Sequence, residues 1–213
     1  MPTLLMRLEA PMQSWGVSSL FTNRDTAREP SKSGVIGLVC AALGRPRVAD
    51  LSDLISLRMG VRVDREGILQ KDFHIAQDVL LASGTGTKDT ELSDRYFLAD
   101  AVFLVGLEGP DQLIKDIHDA LRSPQWTLYL GRKAFVPGKP VWLKQGIQEK
   151  PLVEALKNFP SLVKDPAENM RLVLDSDDGE FVRADVPLDF SERRFSSRRI
   201  SMLQIKAPAF KEV

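Results

Sequence analysis

What most limits how this chain can fold is the order in which its apolar spacing changes. Thr3 to Glu9 is a short apolar run of strand length. From Ser31 to Leu43, Val35, Ile36, Leu38, Val39, Ala41 and Ala42 cover nearly the whole circumference of a helix, so that helix must be buried. Arg58 to Asp64 alternates, with Met59, Val61 and Val63 on one face. Ile68 to Leu81 alternates again: Phe73, Ile75, Val79 and Leu81 share one face, and Gln70, Asp72, His74 and Asp78 the other. Strand character resumes at Arg95 and runs to Val105. Asp111 to Leu121 is amphipathic, with a stripe of Leu113, Ile114, Ile117, Ala120 and Leu121. A further strand lies at Val141 to Leu143.

The punctuation agrees with the periods. Ser31 is placed to cap the first helix, Gly44 to stop it, and Pro46 to prevent its return. Gly34 and Gly37 allow a close backbone approach on its surface. Asp50 to Leu57 predicts a short second helix. Arg65-Glu66-Gly67 predicts a turn that makes Arg58–Asp64 and Ile68–Leu81 antiparallel neighbours. Ser83-Gly84-Thr85-Gly86-Thr87-Lys88 interrupts the pattern, so 77–97 predicts a projecting hairpin with a mobile tip. With that hairpin treated as an insertion, the order through Leu143 is βαββαβ. This is the ferredoxin-like, or RRM-like, split βαβ topology, and the class is α+β. Residues 1–146 form this domain. Residues 147–213 predict a small β-rich C-terminal region, with a helix near Lys150 to Phe159, a hairpin around Asp177-Asp178-Gly179 and a last strand from Ile200 to Ile205.

Composition removes several classes of function. No apolar run approaches the roughly 20 residues of a membrane helix, and the start lacks the basic region of a signal peptide. These features predict a cytoplasmic protein without a membrane partner. One cysteine, Cys40, leaves no internal disulfide and no cysteine-based zinc site, and no metal or cofactor is expected. The 29 basic and 29 acidic residues cancel, which argues against a free-standing non-specific nucleic-acid binder. The charges are nevertheless clustered. Arg193, Arg194, Arg198 and Arg199 crowd one segment around Phe195; Asp175, Asp177, Asp178 and Glu180 crowd another. A neutral chain with one basic face suits a subunit that meets RNA on one side and protein on others.

The candidate binding residues follow from that view. After the first strand come Gln13, Ser14, Trp15 and Gly16. A Trp there either closes the core or, like Gln13, lies along a nucleotide, where stacking is worth about 1–3 kcal/mol per base. Arg24, Arg28, Lys32 and Ser33 lead into a helix whose free N–H groups and dipole favour an anion. The glycine spacing of a Walker motif is missing before Lys32, which argues against a nucleotide triphosphatase. In the segment Leu130 to Lys133, Gly131 allows close approach of a phosphate backbone, which Arg132 and Lys133 neutralise. His74, with Lys71 or Tyr96, is the one arrangement that suggests metal-free RNA cleavage; a structural or RNA-contacting histidine is the alternative. His118 is expected on the solvent side of its helix.

Several short segments, in this order, resemble the CasD family (CRISPR-associated family five) of type I-E Cascade complexes. They are Pro11-Met12-Gln13-Ser14-Trp15-Gly16; Pro30-Ser31-Lys32-Ser33-Gly34 with Gly37 and Leu43-Gly44; and Asp72-Phe73-His74. Arg95-Tyr96 with Asp100-Ala101, Tyr129-Leu130-Gly131-Arg132-Lys133, and Arg194-Phe195 with Ser197-Arg198 complete the set. The resemblance implies an RRM-like RAMP protein that caps the 5′ handle of CRISPR RNA without catalysis. It would lie beside the Cascade large subunit and the last copy of the repeated backbone subunit, near target DNA, with its thumb hairpin over the RNA. It adds Arg95, Tyr96, Arg194 and Arg198 to the RNA-contacting set. In a related branch, in type I-C systems, the protein processes precursor CRISPR RNA, which would make His74 the first catalytic suspect. The family often has a small residue and Cys-Pro after the basic loop, where this chain has Ala134-Phe135-Val136-Pro137.

Overall fold

The computed structural model describes residues 1–17, 22–81 and 83–212. In chain order the strands and helices are β1 (Thr3–Glu9), β2 (Met12–Gln13), β3 (Asn23–Arg24), α1 (Lys32–Leu43), α2 (Ser52–Ile55), β4 (Arg58–Arg65), β5 (Ile68–Leu80) and β6 (Thr87–Ala99). They continue with β7 (Val102–Glu108), α3 (Asp111–Arg122), β8 (Trp142–Gln148), α4 (Leu152–Asn158), β9 (Asn169–Asp175), β10 (Phe181–Asp189) and β11 (Arg194–Lys206).

Seven strands form one antiparallel sheet in the order β10-β11-β9-β4-β7-β1-β8. Its β4-β7-β1-β8 portion, with α1 and α3, is the ferredoxin-like arrangement expected from the sequence. The C-terminal region is β-rich, and its three strands extend this same sheet from the free side of β4.

The apolar runs of β1 and β7 are nearly continuous because both sheet faces are covered. Leu4, Met6, Leu8, Phe103, Val105 and Leu107 pack with α1 and α3 on one face. Leu5, Val102 and Leu104 meet Leu152, Ala155 and Leu156 of α4 on the other. The second face also contains a buried ion pair. Arg62, fully buried on β4, bonds Asp64 at 2.7 Å and donates to the carbonyls of Leu156, Phe159 and Pro160. One guanidinium therefore ties the end of α4 to the central sheet.

Helix α1 starts and stops where the sequence predicts. Ser31 Oγ accepts from the N–H of Gly34, and Gly44 takes the left-handed conformation at φ 72°.

Two pairings and one side-chain placement differ from expectation. β5 does not pair with β4. It pairs with β6 along its whole length, from Ile68↔Ala99 to Leu80↔Thr87, so the hairpin begins well before residue 77. Burial separates the two alternating runs: β4 is interior and β5 almost wholly exposed. β9 and β10 do not form a hairpin either, because β11 lies between them and pairs with both. Its Ile200 is fully buried, and its Arg198 binds carboxylates on both neighbours: Asp175 of β9 and, at 2.6 Å, Asp185 of β10. Finally, His118 is not a solvent-side residue. Its ring packs 5.4 Å from that of Trp142 and Nε2 lies 3.1 Å from the Leu143 carbonyl, because that side of α3 rests on β8.

Candidate nucleic-acid interface

The described parts of the connection from β1 to α1, residues 10–17 and 22–31, form a strap at the root of the hairpin. β2 pairs with Leu98 and Ala99, and β3 runs parallel to Asp94 and Arg95. Two expected ligand residues hold this strap down. Gln13 is buried, its Nε2 donating to the carbonyls of Leu8 (3.2 Å) and Ala101 (2.7 Å). Trp15 is 1% exposed, and its six-membered ring sits so close to Gly34 that an added Cβ would fall 2.8 Å from Cε3. Between the two readings of Trp15 the structure therefore favours the core: the indole face lies on α1 and is closed to a base. The strap returns through Ala27 N–H to the Trp15 carbonyl at 3.1 Å.

Gly131 has an equally internal reason to be glycine. At φ 93° its missing Cβ would overlap the carbonyl oxygen of Ser14 at 1.7 Å. The close approach it permits here is between two chain segments, sealed by Ser14 N–H on the Leu130 carbonyl at 3.1 Å.

Lys32 and Arg198 are also internal. Lys32 is 5% exposed; its Nζ donates to the Leu57 carbonyl at 2.7 Å and to Asp175 at 3.1 Å. Its backbone N–H donates to Asp185 at 2.8 Å, so a carboxylate of β10 already occupies that place at the α1 N-terminus. Arg198 bridges the same two aspartates, and these hydrogen bonds raise its pKa against the lowering effect of burial. The anion expected at this helix start is thus supplied by the chain itself. A second internal clamp, Arg171, binds Glu66 at the hairpin root (2.8 Å) and the buried Glu29 at the end of the strap.

What remains is a cleft of about 460 Å³ between the strap, the hairpin root and the segment 130–133. Arg24, Arg95 and Arg132 line it together, with Ser33, Asp25 and Phe195 among its other walls. β3 carries Arg24 to β6, where it lies level with Arg95. Arg132 is held by its Nη2 bond to the Tyr96 carbonyl at 2.8 Å and by stacking over Phe135 at 5.3 Å. Phe135 is buried and also contacts Phe97 of the hairpin, 5.9 Å between centroids. Burial holds the Arg132 guanidinium below its ordinary pKa, and Arg95 and Arg24 push the same way while Asp72 opposes them. Three like charges held together on backbone and aromatic supports favour an incoming anion.

The hairpin continues this surface. Directly opposed residues share a face, so Asp72 and Arg95, then His74 and Ser93, form one row leading outward from the cleft. Lys71 and Tyr96 oppose each other on the other face, and Lys71 is paired with Asp94 at 3.2 Å. By the alternation along the strands, both lie on the face opposite His74. Tyr96 contributes its carbonyl, which also accepts from Ser14 Oγ at 3.2 Å. Arg28 and Lys133 are exposed, and Arg194 is exposed beside Glu192 at 2.8 Å. Among the described residues no group of three or more His, Cys, Asp or Glu side chains is placed to hold a metal ion, and no helix is long and apolar enough to cross a membrane.

Residues 3–201 match the sequence family described as CRISPR-associated protein (Cas_Cas5). The chain belongs to this Cas5 family. A relative is the CRISPR system Cascade subunit CasD of Escherichia coli (strain K12), 34% identical over 160 residues, which are 66% of this chain and 69% of that protein. A solved structure described as a crystal structure of a Cas protein superposes with a TM-score of 0.82 at 45% identity, covering 97% of this chain and 98% of the other. A chain of a CRISPR RNA-guided surveillance complex gives a TM-score of 0.82 at 36% identity, covering 97% and 91%. In this Cas5-family chain, sequence reasoning found all three cleft arginines. It missed Phe135 as the support of Arg132 and Asp185 as the built-in anion. The only trace of the first was an aromatic where the family often has cysteine; nothing local marked the second.

Proposed function

We propose that this chain is a non-catalytic CRISPR RNA-binding subunit of a type I-E Cascade complex, gripping the 5′ handle of the RNA in the cleft between strap and hairpin root. The observation that carries this reading is the convergence of Arg24, Arg95 and Arg132 on one cleft. Family membership and the likeness to a chain of an RNA-guided surveillance complex support it. His74, on the polar row leading away from the cleft, is an RNA contact, with Arg28, Lys133 and Arg194 as outer phosphate contacts. The opposite face of the hairpin exposes Phe73, Ile75 and Leu92, which suits a protein neighbour. We assign that face to the repeated backbone subunit and other protein-facing surface to the large subunit, near target DNA.

The test is salt-dependent binding of repeat-derived handle RNA. Replacing Arg132 and Lys133 together by Ala removes two phosphate contacts, so the slope of log K against log salt falls by about 1.4 for a single strand. An unchanged slope and affinity would remove this segment from the interface. Incubation of the protein with repeat RNA in the absence of metal tests the non-catalytic assignment. Specific cleavage that disappears in His74→Ala would replace it with RNA processing.

A further inference from the structure

Among the described residues, the sheet formed by hairpin and strap shares no strand pairing with the seven-stranded sheet. The hairpin joins that sheet through two crossings, and each contains a residue in the left-handed region. On the way out Gly67 stands at φ 72°, where a Cβ would fall 2.7 Å from that of Ala101. On the way back Asp100, which is not glycine, stands at φ 55°. Beside the first crossing runs a row of four alternating charges. Glu66, next to Gly67, accepts from Arg171 Nε at 3.0 Å and from Nη2 at 2.8 Å. Through Nη1 the same guanidinium donates to the buried Glu29 at the end of the strap, and Arg183 pairs with the other oxygen of Glu29. Arg171 belongs to β9 and Arg183 to β10. Glu66 is half exposed, so water would solvate it without Arg171, and the pair adds little to global stability. What a two-bond guanidinium–carboxylate pair does supply is direction, because the two planar groups meet in one orientation.

We propose that Arg171 is a positioning residue: by tying Glu66 at the hinge of the hairpin to Glu29 at the end of the strap, it sets hairpin and strap in one relative arrangement before RNA arrives. This rests on the RNA-binding reading and adds to it a latch supplied by the C-terminal strands. Arg171 itself meets no RNA. Without the latch the hairpin turns about Gly67 and Asp100, and only a fraction of the molecules is competent to bind. Apparent affinity then falls by that fraction. The phosphate contacts of the bound complex keep their number, so their salt slope stays the same.

The experiment compares the wild-type full-length chain with Arg171→Ala and with Glu66→Gln, which keeps the side-chain shape and disturbs no buried charge. Hairpin direction is read first, without RNA, as the distance distribution between spin labels on Thr85→Cys at the tip and Lys115→Cys on α3. Both positions are exposed, and the buried Cys40 stays in place. The wild type should give one narrow distribution and both variants a broader one. Binding of handle RNA should weaken about 3- to 10-fold, as for a competent state populated at roughly a tenth to a third. The slope of log K against log salt should not change, and Glu66→Gln should melt like the wild type. If Arg171→Ala fails to fold, Glu66→Gln alone decides. Narrow distributions in the variants would overturn the latch. Broadening with full RNA affinity would overturn the positioning role, and a reduced salt slope would make Arg171 a phosphate contact instead. Failure of the wild type to bind handle RNA would remove the RNA-binding reading and the positioning role with it, while the distances would still decide whether Arg171 latches the hairpin.

Discussion

Two sets of basic residues lie within one molecule and do opposite work. Around the start of α1, Lys32 and Arg198 share Asp175 and Asp185 and are nearly closed to solvent. At the hairpin root, Arg24, Arg95 and Arg132 crowd each other, and Arg132 leans on a carbonyl and a phenyl ring. In the first set the fold has supplied the anions, so the cations hold strands together. In the second, positive charge outweighs its near partners, which favours an anion from outside. Basic residues are therefore informative about ligands only once their partners are known.

The largest expected effect comes from breaking the first set. Asp185→Ala leaves the buried Arg198 guanidinium with one carboxylate instead of two and removes the acceptor of the Lys32 N–H at the start of α1. The loss should be about 3–5 kcal/mol, seen as a fall of about 10 °C in the unfolding midpoint. If the variant melts like the wild type, the network is not structural and the contrast between the two sets disappears.

Gly131→Ala tests whether the cleft depends on the segment behind it. A Cβ at φ 93° against the Ser14 carbonyl should cost about 1–3 kcal/mol and displace Arg132, so stability and RNA affinity should fall together. Denaturant titration beside filter binding would show whether they do.

Arg132→Ala should separate the two properties. One charge-assisted contact is lost, giving RNA binding weaker by about tenfold with a stability change below about 1 kcal/mol. A large drop in stability with intact RNA binding would move Arg132 into the structural set.

The smallest effect concerns an arginine that is paired and only partly buried. Arg45 binds Asp53 at 2.7 Å, and this hydrogen bond, ahead of the other influences, lowers the Asp53 pKa from its ordinary 3.8. A depressed carboxylate contributes stability above pH 3.8, lost as the pH falls through the folded value. Arg45→Ala should therefore destabilise by less than about 1 kcal/mol at neutral pH, and the gap from wild type should close in acid. Urea midpoints across pH 2 to 7, on the order of that window, would reveal a gap that persists in acid and so contradict the pairing.

Much of the fold was legible because it is written in local rules. The period of Val35 to Ala42 marks a helix buried all round; Ser31 and Gly44 set its ends within the reach of single hydrogen bonds. The strands β1, β4 and β7 were visible from apolar content, and their sequence order allows few topologies. The cleft was half legible. Arg24, Arg95 and Arg132 could be named, but Arg198 and Lys32 looked equally suited to RNA, and Trp15 more so.

The chain by itself determined the helices and strands of its split βαβ core and the family to which its motifs point. Only the tertiary structure decided which strand lies beside β4, that β11 divides β9 from β10, and which cations are already neutralised. The physical reason is distance along the chain. The Lys32 N–H and Asp185 are 153 residues apart, Ser14 and Gly131 more than a hundred, and no local pattern can report such a contact. Helix caps and strand alternation act between near neighbours and can be read from them. Charge pairing depends on what the fold brings within about 3 Å, and that is settled only when all seven strands are in place.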